Sequence, residues 1–247
     1  MESNKKKVAI VQSNYIPWKG YFDIIAAVDE FILYDEVQYT KNDWRNRNLI
    51  KTPQGLKWLS IPVYHSLNQK ICETKISDRT WAKKHWLTIT QFYKKSCHFN
   101  DYKNIFEELY LGEQQNYLSL INHRFITAVC RLLEIKTKIV FSSEYGLIEG
   151  KTERLVDLCK KAGASEYVSG PSAQGYIEGK LFKQDNIKLT WMDYTDYPEY
   201  RQLYPPFKHG VSILDLIFNE GPSAFKYLKN YIKNDTDQVI TLWGHRV

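Results

Sequence analysis

The sequence predicts an α/β fold in which helices flank a largely parallel sheet, with a helical insertion in the middle and a helical C-terminus. Three observations support this prediction. Residues 8–11 and 31–34 are short apolar runs typical of buried strands, and residues 21–28 between them have the spacing of an amphipathic helix. Residues 138–169 repeat the alternation of strand and helix. Residues 80–135 instead carry long helical patterns with no strand between them.

The first strand, helix and strand fix the position of a binding crevice. A unit of about 30 residues suffices for two parallel strands joined by a right-handed crossover. The loop 12–20 and the segment after Asp35 therefore meet at the carboxyl ends of both strands, where open α/β sheets bind ligands. The predicted layering is Rossmann-like or nucleotidyltransferase-like. The loop resembles the first loop of nucleotidyltransferases, although Tyr21 stands where the second histidine of their signature is expected.

The remaining elements follow in order along the chain. Residues 57–63 predict a strand that pairs through a turn at 52–55 as a hairpin laid over the crevice. Apolar residues at steps of three and four predict helices at 80–95 and 117–134. The second half then predicts a strand at 138–141, a helix at 152–162, strands at 166–169 and 187–191, and helices at 211–219 and 222–231.

Length and composition restrict the classes of function. The chain has 247 residues, of which 43% are hydrophobic and 25% charged, as in an ordinary globular protein, and we predict one domain, 1–247, with a helical subregion at about 80–135. We expect a cytoplasmic protein, because no signal peptide and no apolar run of roughly 18 residues is present. The net charge of +6 suits a phosphorylated or nucleotide-bearing ligand but is too diffuse to indicate DNA binding. The cysteines and histidines lack metal-ligand spacing, so no metal site is predicted.

Polar side chains begin in the loop 12–20, directly after the first strand. Its amides precede a helix, where the helix dipole favours a phosphate or a carboxylate. Gln12 offers an amide at the strand end, and Gly20 is expected to let a ligand approach the backbone closely. A connecting loop without any ligand is the alternative interpretation.

The second polar segment, residues 34–48, consists almost entirely of charged and hydrogen-bonding side chains around Trp44. Ligand binding explains it economically, because such groups are costly to bury without partners. Arg45 and Arg47 fall on one side of an extended segment and are expected to bind a pyrophosphate or carboxylate together. Asp35 is placed to orient an amine or to act as a base. An ion-paired surface hairpin is the alternative.

Two later segments add candidates. Ser169 and Gly170 follow a strand and could form a wall of hydroxyl and amide groups for a nucleotide or sugar. A nucleophilic role for Ser169 is disfavoured, because the nucleophile-elbow spacing is absent. Ser212 is placed to cap the helix that carries Asp215. His209 lies at the entrance to that helix, where a packing role is more common than proton transfer.

Five stretches together resemble the WbqC-like protein family over nearly the whole chain: 12–23, 35–48, 152–155, 169–173 and 212–216. The resemblance implies a product of a bacterial O-antigen or other surface-polysaccharide gene cluster. The protein that gave the family its name has been proposed to transfer glycine onto the amino group of a nucleotide-linked amino sugar. The matching motifs supply the candidate site residues Gln12, Tyr15, Pro17, Gly20, Asp35, Gln38, Trp44, Arg45, Asn46, Arg47, Ser169, Gly170 and Asp215.

The expected function is therefore transfer of a glycyl or other small acyl group from an activated donor, on a carrier not specified by the sequence, to a nucleotide-linked amino sugar. Asp35, Gln12 and Asp215 are the catalytic candidates: Asp35 would accept the proton and Gln12 would stabilise the oxyanion. Trp44 and Tyr15 are expected to stack on the base or sugar. Two alternatives stay open, a nucleotidyl- or adenylyl-transferring enzyme that uses ATP and magnesium, and a non-catalytic protein that binds sugar nucleotides.

Overall fold

The structure, a computed structural model, describes residues 5–231 and has an α/β architecture. Residues 1–4 and 232–247 of the predicted single domain lie outside the described residues. The strands are β1 Lys7–Val11, β2 Glu30–Leu33, β3 Arg47–Thr52, β4 Gly55–Ser60, β5 Lys138–Phe141, β6 Glu166–Ser169 and β7 Lys188–Trp191. The α-helices are α1 Lys19–Ala26, α2 Trp81–Tyr93, α3 Phe99–Leu111, α4 Leu118–Leu132, α5 Thr152–Lys161, α6 Gly179–Gln184 and α7 Ile213–Glu220.

Five strands form the central sheet in the order β5, β2, β1, β6, β7, and every neighbouring pair is parallel. Alternate residues of its strands face two separate apolar clusters. Ala9 and Phe31 pack with α1 to α4 and α7, whereas Val8 and Ile32 pack with α5 and α6. The sheet is therefore the middle of three layers, and the predicted α/β fold class is confirmed.

The strand order places a crevice over the centre of the sheet. If the five strands of this sheet are counted 1 to 5 in the order in which they occur along the chain, their order across the sheet is 3-2-1-4-5. This is the strand order of doubly wound proteins. The order reverses between β1 and β6, and the connections on either side of that point cover opposite faces. The loop 12–18 after β1 and the segment that begins with Gly170 after β6 therefore flank the crevice.

The helical insertion lies between β4 and β5 and contains α2, α3 and α4. The helices predicted at 80–95 and 117–134 are present as α2 and α4, but the sequence pattern missed α3. Its buried residues Phe99, Phe106, Leu109 and Tyr110 lie on one face, because seven positions correspond to about two helical turns, so a helical pattern was present that was not predicted from the sequence. None of the helices within residues 5–231 is long and apolar enough to cross a membrane.

The predicted hairpin is formed by β3 and β4, which pair antiparallel from Arg47 opposite Ser60 to Thr52 opposite Gly55. Gly55 has a φ of 107°, a value that favours glycine and closes the turn. The hairpin is held against α7 by a bond from the Ser212 amide to the Leu49 carbonyl, 2.8 Å. This anchorage positions the segment before β3, which carries Trp44 and Arg45, over the crevice.

The C-terminal helices differ in part from the prediction. Ser212 caps α7 as expected, since its hydroxyl accepts a hydrogen bond from the Leu214 amide, 3.3 Å. The helix predicted at 222–231 is instead a short 3-10 helix, Gly221–Tyr227. Gly221 ends α7 with a φ of 53°, and the proline that follows it cannot donate to an α-helical turn.

Candidate functional site

Asp35 lies at the centre of a polar cluster that joins the loops after β1 and β2 to helix α4. Its carboxylate is 1% exposed and accepts hydrogen bonds from the Ser13 amide, at 2.8 Å, and from the Ser119 hydroxyl of α4. Burial raises the pKa of Asp35, and this rise is opposed by the two hydrogen bonds and by the positive charge of Arg45. A carboxyl group with a raised pKa at the end of a central strand has the properties of a proton acceptor.

Asn122, one turn after Ser119 on α4, connects the two loops of the crevice. Its side chain is fully buried, and Nδ2 donates to the Ser13 hydroxyl, 3.0 Å, and to the Arg45 carbonyl, 2.9 Å. Its Oδ1 is also buried and has no donor within residues 5–231. Sequence reasoning missed both α4 residues. The available signal was a pair of polar residues three positions apart on the buried face of a predicted helix.

Arg45 extends toward the loop after β1. Its guanidinium donates to the Asn14 Oδ1 and lies 3.4 Å from the Gln12 Oε1. Asp43 is the nearest carboxylate, at 3.6 Å, and the Arg45 side chain is 16% exposed. These contacts hold the charged group in one orientation at the edge of the crevice, as is typical of an arginine that binds phosphate or carboxylate.

Arg47 has different partners from Arg45. Its guanidinium carbon lies 4.1 Å from the centre of the Trp58 ring, and Nη2 donates to the Asn42 carbonyl. The two guanidinium groups have different partners within residues 5–231, and joint binding of a pyrophosphate or carboxylate by Arg45 and Arg47 stays a prediction.

A cavity of about 240 Å³ lies beside Asn14, the residue that accepts a hydrogen bond from Arg45. It is lined by Asn14, Pro17, Trp18, Trp44, Asn48 and Gly210. Asn48 donates to the carbonyls of Tyr15 and Ile16, which holds Ile16 at a φ of 36°, a conformation that a β-branched residue rarely adopts. Two indoles and two side-chain amides thus surround a space smaller than the pockets of roughly 300 to 1,000 Å³ that hold drug-sized ligands.

Tyr15 is not available for stacking on a ligand, so that prediction is corrected. Its ring is fully buried against Trp81 and Phe125. The hydroxyl bonds to Nδ1 of His85, 2.8 Å, and lies 2.9 Å from the Tyr110 hydroxyl. Tyr15 thereby attaches the loop after β1 to the helical insertion, and its effect on the crevice is to fix the position of that loop.

Gly20 is also explained by packing, and its predicted close contact with a ligand is corrected. A Cβ atom built on Gly20 would lie 2.3 Å from Cζ2 of Trp18. The indole of Trp18 therefore occupies the space above the start of α1, and it also lines the cavity. Glycine is needed here so that Trp18 can form the cavity wall.

Replacing Gly20 with alanine is expected to lower the free energy of unfolding by about 1 to 2 kcal/mol, because the added methyl group displaces Trp18. Chemical denaturation measures this loss. The matched control is Gly175→Ala, where a Cβ atom meets no other atom within 4 Å. Equal stabilities of the two variants would contradict the packing role of Gly20.

Asp215 lies away from the crevice cluster. Its carboxylate is fully buried and accepts hydrogen bonds from the Tyr93 hydroxyl, 2.8 Å, and the Tyr200 hydroxyl, 2.9 Å. Burial raises the pKa of Asp215, and the two tyrosine bonds and Lys51 oppose that rise. These partners connect α7 to α2 and to the segment after β7, so the structure does not place Asp215 with Asp35 and Gln12.

The other predicted site residues are distributed as follows. Asn46 binds the backbone of Ile61, and Gln38 is exposed and forms an isolated bridge with Lys70. Ser169 is buried at the end of β6, and Gly170 follows it across the crevice from the loop 12–18, near the ring of Tyr194. The His209 ring packs edge-on against Phe207, with 4.6 Å between ring centres.

The sheet order defines a doubly wound α/β protein with a crevice at the carboxyl ends of its central strands. The chain belongs to the WbqC-like protein family, whose sequence profile matches residues 12–227, and the resemblance seen in the sequence is confirmed. Over 226 residues it is 52% identical to the uncharacterized protein Rv1507c of Mycobacterium tuberculosis strain H37Rv. This alignment covers 91% of this chain and 98% of that relative. No solved structure matches the chain significantly.

Proposed function

We propose that the protein is a transferase of surface-polysaccharide (O-antigen) synthesis that acylates the amine of a nucleotide-linked amino sugar, with glycine or another small aminoacyl group. The position of Asn14 carries this proposal. Its side chain lines the tryptophan-walled cavity and also accepts a hydrogen bond from Arg45. A cavity of about 240 Å³ therefore adjoins a fixed guanidinium, which suits a ligand made of a sugar and a phosphate.

The cavity supports the assignment of the sugar. Indole faces pack well against the C–H face of a pyranose ring, and amide side chains supply both donors and acceptors for its hydroxyl groups. Trp18 and Trp44 provide the aromatic walls and Asn14 the amide, because both Nδ2 donors of Asn48 are used by the carbonyls of Tyr15 and Ile16. The volume suits a single monosaccharide, so the nucleotide must lie outside the cavity, on the side of Arg45.

The cluster around Asp35 supports the assignment of the chemistry. In the proposed reaction the sugar nitrogen attacks the acyl carbonyl carbon, the bond from that carbon to the carrier breaks, and the nitrogen loses a proton. Asp35, buried and with a raised pKa, accepts this proton or orients the amine. Gln12 and the first amides of α1, whose N-cap Trp18 makes no side-chain capping bond, stabilise the oxyanion.

Replacing Arg45 with glutamine is expected to weaken binding of the nucleotide-linked amino sugar by about 1.5 to 3 kcal/mol, which is roughly 10- to 150-fold. Calorimetric titration measures this change. Binding of the same amino sugar without its nucleotide should change little, and Arg131→Gln, at an exposed position near the end of α4, serves as the control. Unchanged affinity for the nucleotide-linked sugar in Arg45→Gln would contradict the phosphate role.

The doubly wound strand order favours a second candidate, a nucleotidyl- or adenylyl-transferring enzyme that binds ATP phosphates at the start of α1. Exchange of pyrophosphate into ATP in the absence of an acyl donor would support this candidate over acyl transfer. Amide formation from an amino sugar, with none from its hydroxyl counterpart, would support the first proposal. Binding without turnover of either kind would leave a non-catalytic sugar-nucleotide-binding protein.

A further inference from the structure

Two tryptophans and an arginine form an exposed platform beside the cavity, which we call the indole platform: Trp44, Trp58 and Arg47. The ring centres of Trp44 and Trp58 are 5.4 Å apart, with 43° between their planes. The guanidinium carbon of Arg47 lies 4.1 Å from the centre of the Trp58 ring. Trp44 is 43% exposed and Trp58 is 42% exposed, so neither indole covers the other.

The hairpin register explains how the platform is built. Trp58 of β4 pairs with Leu49 of β3, and Arg47, two residues before Leu49, is therefore the diagonal neighbour of Trp58 on the same face. Trp44 precedes β3 and is fixed by a bond from the Tyr15 amide to its carbonyl, 3.0 Å. The platform is thus supported by regular backbone pairing on one side and by the crevice loop on the other.

Single exposed aromatic residues are common on protein surfaces and need no explanation. The indole platform differs in two respects. Its two indoles contact each other and no element of residues 5–231 covers them. Within the same residues the buried Nε of the stacked Arg47 guanidinium has no acceptor. A flat ring with polar edges would cover the indoles and also bring acceptors close to this arginine.

We propose, on the basis of the function proposed above, that the indole platform binds the nucleobase of the nucleotide-linked substrate. Trp44 lines the cavity and also belongs to the platform, so the two sites are continuous. A ligand with its sugar in the cavity and its phosphate at Arg45 can place its base on the platform, which shares Trp44 with the cavity wall. In this arrangement Arg47 contacts the base, and Arg45 alone binds the phosphate.

The chemistry of the platform also indicates its selectivity. Every base has a flat π-face, and stacking on indole tolerates all of them. The Arg47 guanidinium, stacked on Trp58, keeps donors free for the carbonyl and ring-nitrogen acceptors at a base edge. We therefore expect binding that requires a base but discriminates weakly among bases.

Calorimetric titration of the full chain with UMP, dTMP, GMP and AMP tests this inference, with ribose 5-phosphate as the probe that lacks a base. Trp58→Ala is expected to weaken the binding of all four nucleotides roughly 5- to 150-fold and to leave ribose 5-phosphate unaffected. Trp58→Phe, which restores a flat ring, should recover most of the affinity. The matched control is Leu56→Ala, which removes another exposed apolar side chain of β4, two residues away.

Nucleotide affinities that are equal in the wild type and Trp58→Ala would overturn the inference, as would ribose 5-phosphate binding as tightly as UMP. The same holds if no nucleotide binds the wild type. These outcomes are separable from failure of the proposed function. If nucleotides bind through Trp58 but no amide is ever formed, the proposed acyl transfer is refuted and the inferred base site is supported. If amide forms and Trp58→Ala leaves the KM for the nucleotide-linked sugar unchanged, the base site alone fails.

Discussion

Replacing Asp215 with alanine is expected to lower the free energy of unfolding by about 2 to 4 kcal/mol. The substitution leaves the hydroxyls of Tyr93 and Tyr200 without their acceptor in a fully buried environment, and each such loss costs about 1 to 3 kcal/mol. Removal of a buried carboxylate, whose burial is itself unfavourable, offsets part of this cost. Denaturation by urea, followed by circular dichroism, measures the difference.

Two further variants separate structure from chemistry at Asp215. Asp215→Asn keeps one acceptor oxygen and should lose less stability than Asp215→Ala. Glu149→Ala, at an exposed acidic residue, should change stability little. If Asp215→Ala were as stable as the wild type but inactive, the carboxylate would belong to the catalytic machinery. The structural role indicated by its hydrogen bonds to the two tyrosines would then be refuted.

The stability of the protein is expected to fall as the pH decreases from about 6.5 to about 4, because of His85. Burial lowers the pKa of His85 from 6.5 to about 4. The Ser60 carbonyl, 3.2 Å from Nε2, can only accept a hydrogen bond, so Nε2 carries the proton and the unprotonated Nδ1 faces the Tyr15 hydroxyl at 2.8 Å. Charging the ring would disrupt this arrangement.

The sign and size of this dependence follow from proton linkage. Between pH 6.5 and 4 the unfolded chain binds a proton at His85 and the folded chain does not, so stability is lost on acidification. At about 1.4 kcal/mol for each pKa unit, the lowered pKa corresponds to about 3 kcal/mol.

A comparison with His85→Gln isolates the effect of this residue. The glutamine amide stays neutral between pH 6.5 and 4. Over this pH range the wild type should therefore lose about 3 kcal/mol more unfolding free energy than His85→Gln. Carboxyl groups titrate in the same range in both proteins and cancel in the difference. Parallel stability curves would show that His85 is protonated in the folded state and would refute its buried, neutral form.

The sequence was sufficient to predict the central sheet because its strands carry a local signal. The strands predicted at 138–141 and 166–169 match β5 and β6 at both ends. β5 contains the apolar run 139–141 and β6 the apolar pair 167–168, and charged or turn-forming residues flank both. Helix α3 was not predicted although its buried side chains recur at helical spacing, and in the structure that face packs against α2 and α7.

The candidate site was less predictable, because a motif does not separate residues that contact a ligand from residues that hold the loop. Tyr15 and Gly20 belong to the same motif as Gln12, yet one anchors the loop in the insertion and the other makes room for Trp18. Ser119 and Asn122 were missed for the opposite reason. They bind residues 84 and 109 positions away in the sequence, and no local pattern reveals such a pairing.

Those two long-range bonds bear on the order in which the chain acquires its native form. The polar cluster beneath the crevice joins residues 13, 35 and 45 to a helix that is synthesised more than 70 residues later. Contacts of such high sequence separation form late, because closing the intervening loop costs entropy before any contact is gained. The β1–β2 pair, which spans 22 residues from Val8 to Glu30, and the hairpin of β3 and β4 can therefore form before a binding site does, and ligand affinity arises only when α4 has reached its place.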